Sequence, residues 1–318
     1  MTITQDPSAP LVAVVGATGA QGGAVVNGLE ESDKAYRVRG FTRDGTKPVA
    51  QELAKRGVEI ITVSLVVENK EAVFRAFAGA DFTFLVTNYF EHGDKQREVN
   101  EGKLLIDASK AAGASRIIWS GLRSYDKLSG GRYPNAHQFE SKAIVTEYAR
   151  QCGVPFVDLQ AGFYGTNLLG SIPFFYSKQE DGNFALAWPT EPTVRVPYID
   201  IARDYGLWAR YMLELPTAEF PNGASMMTHS EILTVAEMAA QLSQVTGKKV
   251  VFKRLDMDRF IKNVEASGFP AEPMVDVWKA IDEFGWPTTT SCSVLPRPTR
   301  TWKEFVEISD WSKVFGSQ

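Results

Sequence analysis

The sequence predicts an α/β protein: a Rossmann-like, doubly wound parallel sheet with a smaller C-terminal α/β lobe. Three observations predict it. The apolar run at 11–15 (LVAVV) passes directly into a glycine-rich turn and then into Ala24, Val25, Val26 and Leu29, spaced as the buried stripe of a helix. A buried parallel strand reads as such a run, and a helix straight after it gives the first half of a βαβ unit. Strand-like and helix-like stretches then alternate strictly as far as residue 160. The strand-like stretches end in small or polar residues, and open α/β sheets bind ligands at those carboxyl ends.

In chain order, residues 1–10 read as a flexible tail, and 11–160 as the nucleotide-binding domain. After the first βα unit, YRVRGFTR at 36–43 reads as a second strand, 47–57 as a helix and 58–65 as a third strand. A helix over 69–79 carries Val73, Phe74 and Phe77. A fourth strand covers 81–87, a polar loop 88–94, a helix 96–112 and a fifth strand 116–120. Residues 121–138 read as an irregular loop, 139–151 as a helix and 154–160 as a sixth strand. The second half, 161–318, is expected to form mainly the smaller substrate or partner lobe, with some segments returning to the main sheet. Its prolines at 173, 189, 192 and 197 suggest a small irregular or β-containing unit, followed by a helix at 199–215. Thr234 with Glu237 three residues later forms a capping-box signature that opens a helix ending at Gly247. A strand at 249–253 follows, then helix and loop to about 315.

The turn itself is Gly16-Ala17-Thr18-Gly19-Ala20-Gln21-Gly22. Glycines three apart allow a sharp turn and close approach of backbone N–H groups to a pyrophosphate, while the helix N-terminus supplies partial positive charge. The spacing is G-x-x-G-x-x-G rather than G-x-G-x-x-G, so a ligand-free strand–helix turn is the plainer alternative. The end of the second strand discriminates between cofactors. NAD binders place an acid there for the ribose 2′-hydroxyl, and NADP binders place a cation for the 2′-phosphate. Here it ends in Thr42-Arg43, with Lys47 four residues on; Asp44 falls one residue late and precedes Gly45, as a turn-former does. Arginine's planar fork suits a phosphate. The residues therefore favour NADP(H), against a solvated arginine on a βα loop.

Composition narrows the function classes. A net charge of −4 argues against direct nucleic-acid binding, which needs a phosphate-neutralising basic face. Cys152 and Cys292 stand far apart in no paired motif, so neither a disulfide framework nor a metal site is expected. The first ten residues lack a signal-peptide pattern, and no apolar run approaches the ~20 residues that span a bilayer. A cytoplasmic location, or a nuclear one, is expected, away from membranes; the oligomeric state stays open.

The ordered set VVGATGAQGGAVV, VRGFTRD, FLVTNYFE, GKLLIDASKAAG, IIWSGL, HQFESKAIVTEYARQCGVPF and AGFYGTNLL resembles the NmrA-like branch of the atypical short-chain dehydrogenases/reductases, in particular NADPH-sensing proteins of the HSCARG type. The likeness extends through LTVAEMAAQLSQVTGKKV near the C-terminus. It implies NADP(H) contacts at Gly16, Thr18, Gly19, Ala20, Gln21 and Gly22, with Arg43 on the 2′-phosphate. Ser64 and Leu65 would face the adenine, where many relatives carry Asp before Leu. Thr87, Asn88 and Tyr89 would lie beside the ribose and nicotinamide, Lys142 would reach the nicotinamide ribose, and Gly162, Phe163 and Tyr164 would lie near the carboxamide.

In catalytic members of that superfamily a Tyr-x-x-x-Lys pair moves the proton. Four residues before Lys142 stands Gln138, which cannot. Three readings follow. One is a redox or cofactor sensor acting through a protein partner. A second is an NADPH-dependent reductase of a small apolar carbonyl or enone. Its candidate catalytic residues are Lys142, Tyr133, His137 and Ser120, with Tyr164 or Tyr89 as further proton donors and Phe163, Phe174, Phe175 and Trp188 as pocket wall. The third is a cofactor-bound interaction module. Each residue also has a plainer role: Tyr133 in packing, His137 in local hydrogen bonds, Ser120 in capping backbone, and the aromatics in inter-lobe core.

Overall fold

A computed structural model describes residues 3–170, 172–179, 181–286 and 295–316. The first half alternates strand and helix as its apolar runs dictate: β1 (Leu11–Val14), α1 (Ala20–Glu30), β2 (Arg37–Thr42), α2 (Pro48–Lys55), β3 (Glu59–Thr62), α3 (Lys70–Phe77), β4 (Phe82–Leu85), α4 (Lys95–Ala111), β5 (Arg116–Trp119), α5 (Tyr125–Ser129), α6 (His137–Arg150) and β6 (Phe156–Ala161). The second half holds β7 (Phe163–Tyr164), β8 (Tyr176–Lys178), β9 (Phe184–Trp188), β10 (Arg195–Ile199), α7 (Ile201–Glu214), β11 (Ser225–Thr228), β12 (Glu231–Thr234), α8 (Val235–Thr246), β13 (Val250–Arg254), α9 (Met257–Ala266), α10 (Ala271–Phe284), α11 (Trp302–Ile308) and α12 (Ser312–Phe315).

Seven parallel strands form the main sheet in the order β3-β2-β1-β4-β5-β6-β11. The order reverses between β1 and β4, where Val14 pairs with Gly40 on one side and Phe84 on the other. A crevice opens at the carboxyl ends of strands at such a switch point. One apolar layer, including Val12, Val25, Leu29 and Trp208, packs on one face, and another, including Phe41, Phe77, Leu105 and Trp119, on the other. α7 returns from the second half to lie on α1. Cβ atoms at Gly28 or Gly206 would overlap the facing backbone of Gly206 or Ala24, so glycine sets this close crossing. Two three-stranded sheets, β12-β10-β7 and β13-β9-β8, build the smaller lobe around an aromatic core.

Several local features depart from the sequence reading. Residues 3–10 are tied down rather than frayed: Ile3 is buried and bridges Tyr36, and Thr4 N–H donates to the Tyr36 carbonyl (2.9 Å). The 121–138 loop contains α5, capped by Ser124 and by the buried Glu140 carboxylate. That carboxylate accepts from the N–H groups of Tyr125 (2.8 Å) and Asp126 (3.0 Å). α6 begins at His137, two residues before the expected start. At α8 the Thr234–Glu237 capping box is present and Gly247 closes the helix in the left-handed region.

Asp158 on β6 is buried and accepts from Gly121 N–H (3.0 Å), Gln160 Nε2 (2.7 Å) and Ser225 Oγ (2.7 Å). Burial outweighs these bonds and pushes its carboxyl up to about 6. Cys152 is a buried free thiol; Cys292 lies outside the described residues. Among the described residues no helix is long and apolar enough to cross a membrane, and no cluster of ligating side chains could hold a metal.

Candidate functional site

A cleft of about 800 Å³ runs along the carboxyl ends of the main sheet and beneath α10. Its outer end is the glycine turn. Gly16 adopts φ +66°, and a Cβ at Gly22 would overlap the Gly16 carbonyl oxygen, so the turn folds tightly against the start of α1 only with glycine there. No side chain caps α1 and its first turn carries no acid, so its N–H groups face the cleft with the positive end of the helix dipole.

Arg43 and Lys47 stand at the same end. Arg43 is exposed and ion-paired with Glu91. Asp44 Oδ1 accepts from Thr46 N–H (2.9 Å) and Thr46 Oγ1 (2.6 Å), which hold its carboxyl below the ordinary range; this acid is engaged in shaping its own turn. Ser64 and Leu65 form the wall opposite, with the Ser64 carbonyl tied to Asn69 Nδ2 (3.0 Å).

Midway, the side chains of Thr87 and Lys142 are fixed by one group that sequence reasoning missed. Glu98 on α4, buried, accepts from Thr87 Oγ1 (2.7 Å) and from Ser141 Oγ, and pairs with Lys142 Nζ. Nothing local marks Glu98: it is one of several charged residues in the first half of α4, and its partners lie eleven and more than forty positions away.

The four candidate catalytic residues separate. Lys142 and Ser120 line the cleft, whereas Tyr133 and His137 do not. Tyr133, in the α5–α6 connection, donates to Glu283 (2.8 Å) and packs on Phe284, both at the end of α10. Ser120 is buried against the Tyr205 hydroxyl. His137 stands behind the wall, with Nδ1 3.4 Å from the Tyr89 hydroxyl. Tyr89 itself lines the cleft and is buried; burial first, then the charges of Glu98, Asp94 and Glu272, push its phenol up. Tyr164 accepts from Gln21 Nε2 (2.5 Å), and burial pushes its phenol up to about 12. Every residue expected from sequence to contact cofactor lines this one cleft.

The inner end is an apolar chamber. Phe163, Phe174 and Phe175 line it, while Trp188 packs behind Phe163 (5.0 Å between ring centres) and Phe175 (5.3 Å). The opposite wall comes from residues that sequence reasoning did not single out: Phe269, Met274, Val277, Trp278, Ile281 and Trp286. The amphipathic pattern of α10 was the only signal for Met274, Val277, Trp278 and Ile281, and it does not tell a buried core face from a cavity wall; Phe269 and Trp286 flank that helix and carried no signal.

Strand order, switch-point crevice and glycine turn together define a doubly wound α/β protein with a built dinucleotide-type cleft. The pattern of the NmrA-like family matches residues 8–311, and the chain belongs to that family. An NmrA-like family domain-containing oxidoreductase, malD of Malbranchea aurantiaca, is 30% identical over 266 residues, covering 79% of this chain and 77% of the relative. Among solved structures, NmrA, a negative transcriptional regulator in complex with NADP, superposes with a TM-score of 0.74 at 21% identity, covering 94% and 95% of the two chains. The NADPH-dependent quinone oxidoreductase QOR2 from Escherichia coli, complexed with NADPH, gives 0.73 at 24% identity, covering 93% and 98%.

Proposed function

We propose that this protein binds NADP(H) in the cleft and is a reductase of a small apolar carbonyl or enone. The observation that carries the proposal is the continuity of the cleft, from an uncapped helix N-terminus with a glycine cradle, past Tyr89 in its wall, to an apolar aromatic chamber. The residues present fit the cofactor. Amides at 20–22 would hold the pyrophosphate, Arg43, exchanging Glu91 for phosphate, would hold the 2′-phosphate, and Lys142 would meet the nicotinamide ribose. Asp44, engaged in its own turn, offers no rival grip on a free 2′-hydroxyl. The names of malD and QOR2 as oxidoreductases agree with this reading.

When bound, the cofactor supplies hydride. The chain must then supply one proton to the reduced oxygen, and Tyr89 is the side chain placed to do so: it stays protonated at neutral pH, and His137 behind it can return the proton from outside the cleft. Tyr133 is committed to Glu283, and Gln138 has no proton to give. Glu98 fixes Lys142 and Thr87 without reaching the cleft. The test is NADPH oxidation, followed by the loss of reduced-nicotinamide absorbance, against aldehydes, quinones and enones. Turnover that falls about a hundredfold in Tyr89→Phe supports the proposal. No turnover across the panel overturns it and returns the balance to a cofactor sensor acting through a protein partner, the reading that Gln138 at the usual tyrosine position favours.

A further inference from the structure

A second cavity, an open groove of about 1200 Å³, lies on the smaller lobe behind the inner chamber; Phe174, 2% exposed, is in the wall of both. Residues of β8, the turn after it, β13 and α9 line the groove. On a chain of net charge −4 its lining is cationic: Lys178, Lys249, Lys253, Arg254 and Arg259, all exposed, against Asp181 and Asp256. Counting Glu180, which lies outside the described residues, as a third acid still leaves the cations in excess. Asp181 Oδ1 accepts from Asn183 N–H (3.1 Å), and Asp256 Oδ1 accepts from Arg259 N–H (2.8 Å) to cap α9. Arg254 pairs with Glu191 and Asp282. Among the described residues the other four cations make no ion pair; Lys253 Nζ donates to the neutral Gln179 amide (3.2 Å).

We infer that this groove docks an extended acidic segment of a partner protein, with apolar side chains between its carboxylates. Size argues for a segment, because the groove exceeds the roughly 300–1,000 Å³ of small-molecule pockets. Charge spacing argues for several anions rather than one. Lys178 stands level with Val250 across β9, about 10 Å away at two strand spacings, and Lys253 lies four residues beyond Lys249, about 13 Å along the strand. Three of the four unpaired cations are lysines, point charges that suit separate carboxylates, where a phosphate site favours clustered arginine forks. Val251, 43% exposed between Lys249 and Lys253, and Leu255 offer apolar contact to the same segment. A long polyanion such as nucleic acid would meet repulsion from the rest of the chain. The groove shares only Phe174 with the cofactor cleft, so the inference stands apart from the proposed function.

The probe is a fluorescein-labelled peptide of about twelve residues built from Asp-Leu-Glu repeats, compared with its Asn-Leu-Gln counterpart by anisotropy on the full chain. Titration in about 0.1 M salt screens charges more than ~10 Å apart and so reports docked contacts. The acidic peptide should bind saturably below about 1 mM and at least tenfold more tightly than the amide peptide. Lys249→Glu with Lys253→Glu should weaken it by about tenfold or more, while the same charge change off the groove, Lys262→Glu with Lys303→Glu, should cost less than about twofold. No saturable binding, equal affinity for the two peptides, or a loss no larger in the groove variant than in the off-groove variant would each overturn the inference. So would displacement of the peptide by ~10 mM inorganic phosphate, which marks a small-anion site. Tighter, lysine-dependent binding of a single-stranded DNA of about twelve nucleotides would overturn it in favour of nucleic acid.

Discussion

Replacing Glu98 by glutamine isolates what holds the centre of the cleft together. The substitution preserves shape and removes a charge whose side chain is 3% exposed, beside a Lys142 side chain that is 11% exposed. Lys142 is then left as a buried ammonium with no counter-ion, and the Thr87 and Ser141 hydroxyls lose a charged acceptor. Breaking one partner of a buried ion pair costs about 3–5 kcal/mol. Unfolding entropy near 2.1 cal/mol/K per residue over this chain gives roughly 1.5 °C per kcal/mol, so thermal unfolding should occur about 4–8 °C lower. Calorimetry checks this. Adding Lys142→Met to the Glu98→Gln variant should recover part of the loss, because the orphaned charge goes with it. A Glu98→Gln protein melting within about a degree of wild type would refute the assignment of a buried ion pair.

Three further outcomes follow from the same geometry. Gly22→Ala should abolish measurable NADPH binding, read by nicotinamide fluorescence, because the added methyl meets the Gly16 carbonyl and spreads the turn. Gly206→Leu should destabilise the fold by several kcal/mol in denaturant unfolding, since nothing larger than hydrogen fits between α7 and α1. Asp158 makes stability fall with rising pH: its folded value, about 6, lies above the ordinary 3.8, so the folded state holds the proton longer. The stability difference between wild type and Asp158→Asn should therefore shrink by about 3 kcal/mol from about pH 4 to about pH 7, and a constant difference would contradict it.

The parts legible in the sequence are those governed by local rules. Apolar runs at 11–15 and 116–120 became β1 and β5, and the Thr234–Glu237 box opened α8, because each signal sits within a few residues of its effect. What could not be read depends on distant partners. Ile3 is anchored by Tyr36, α5 by Glu140, and β11 gains its place only by pairing with β6 some 67 positions earlier, Ser225 against Asp158. The site shows the same division. The glycine turn and Arg43 carry their chemistry in spacing along one βαβ unit. Tyr133 sits at a plausible interval from Ser120, yet Glu283, 150 residues later, takes its hydroxyl out of the cleft. Glu98 and the α10 wall were silent for the converse reason: burial and pairing, not residue type, give them their roles.

The central claim is that this cleft holds NADP(H) through Arg43, and side-by-side titration of NADPH and NADH into wild type and Arg43→Ala tests it most directly. Wild type should prefer NADPH. Arg43→Ala should weaken NADPH by about tenfold to a hundredfold, as loss of a charge-assisted hydrogen bond does, and leave NADH unchanged. Equal affinity of wild type for both nucleotides, or an Arg43→Ala loss shared by both, would contradict the account.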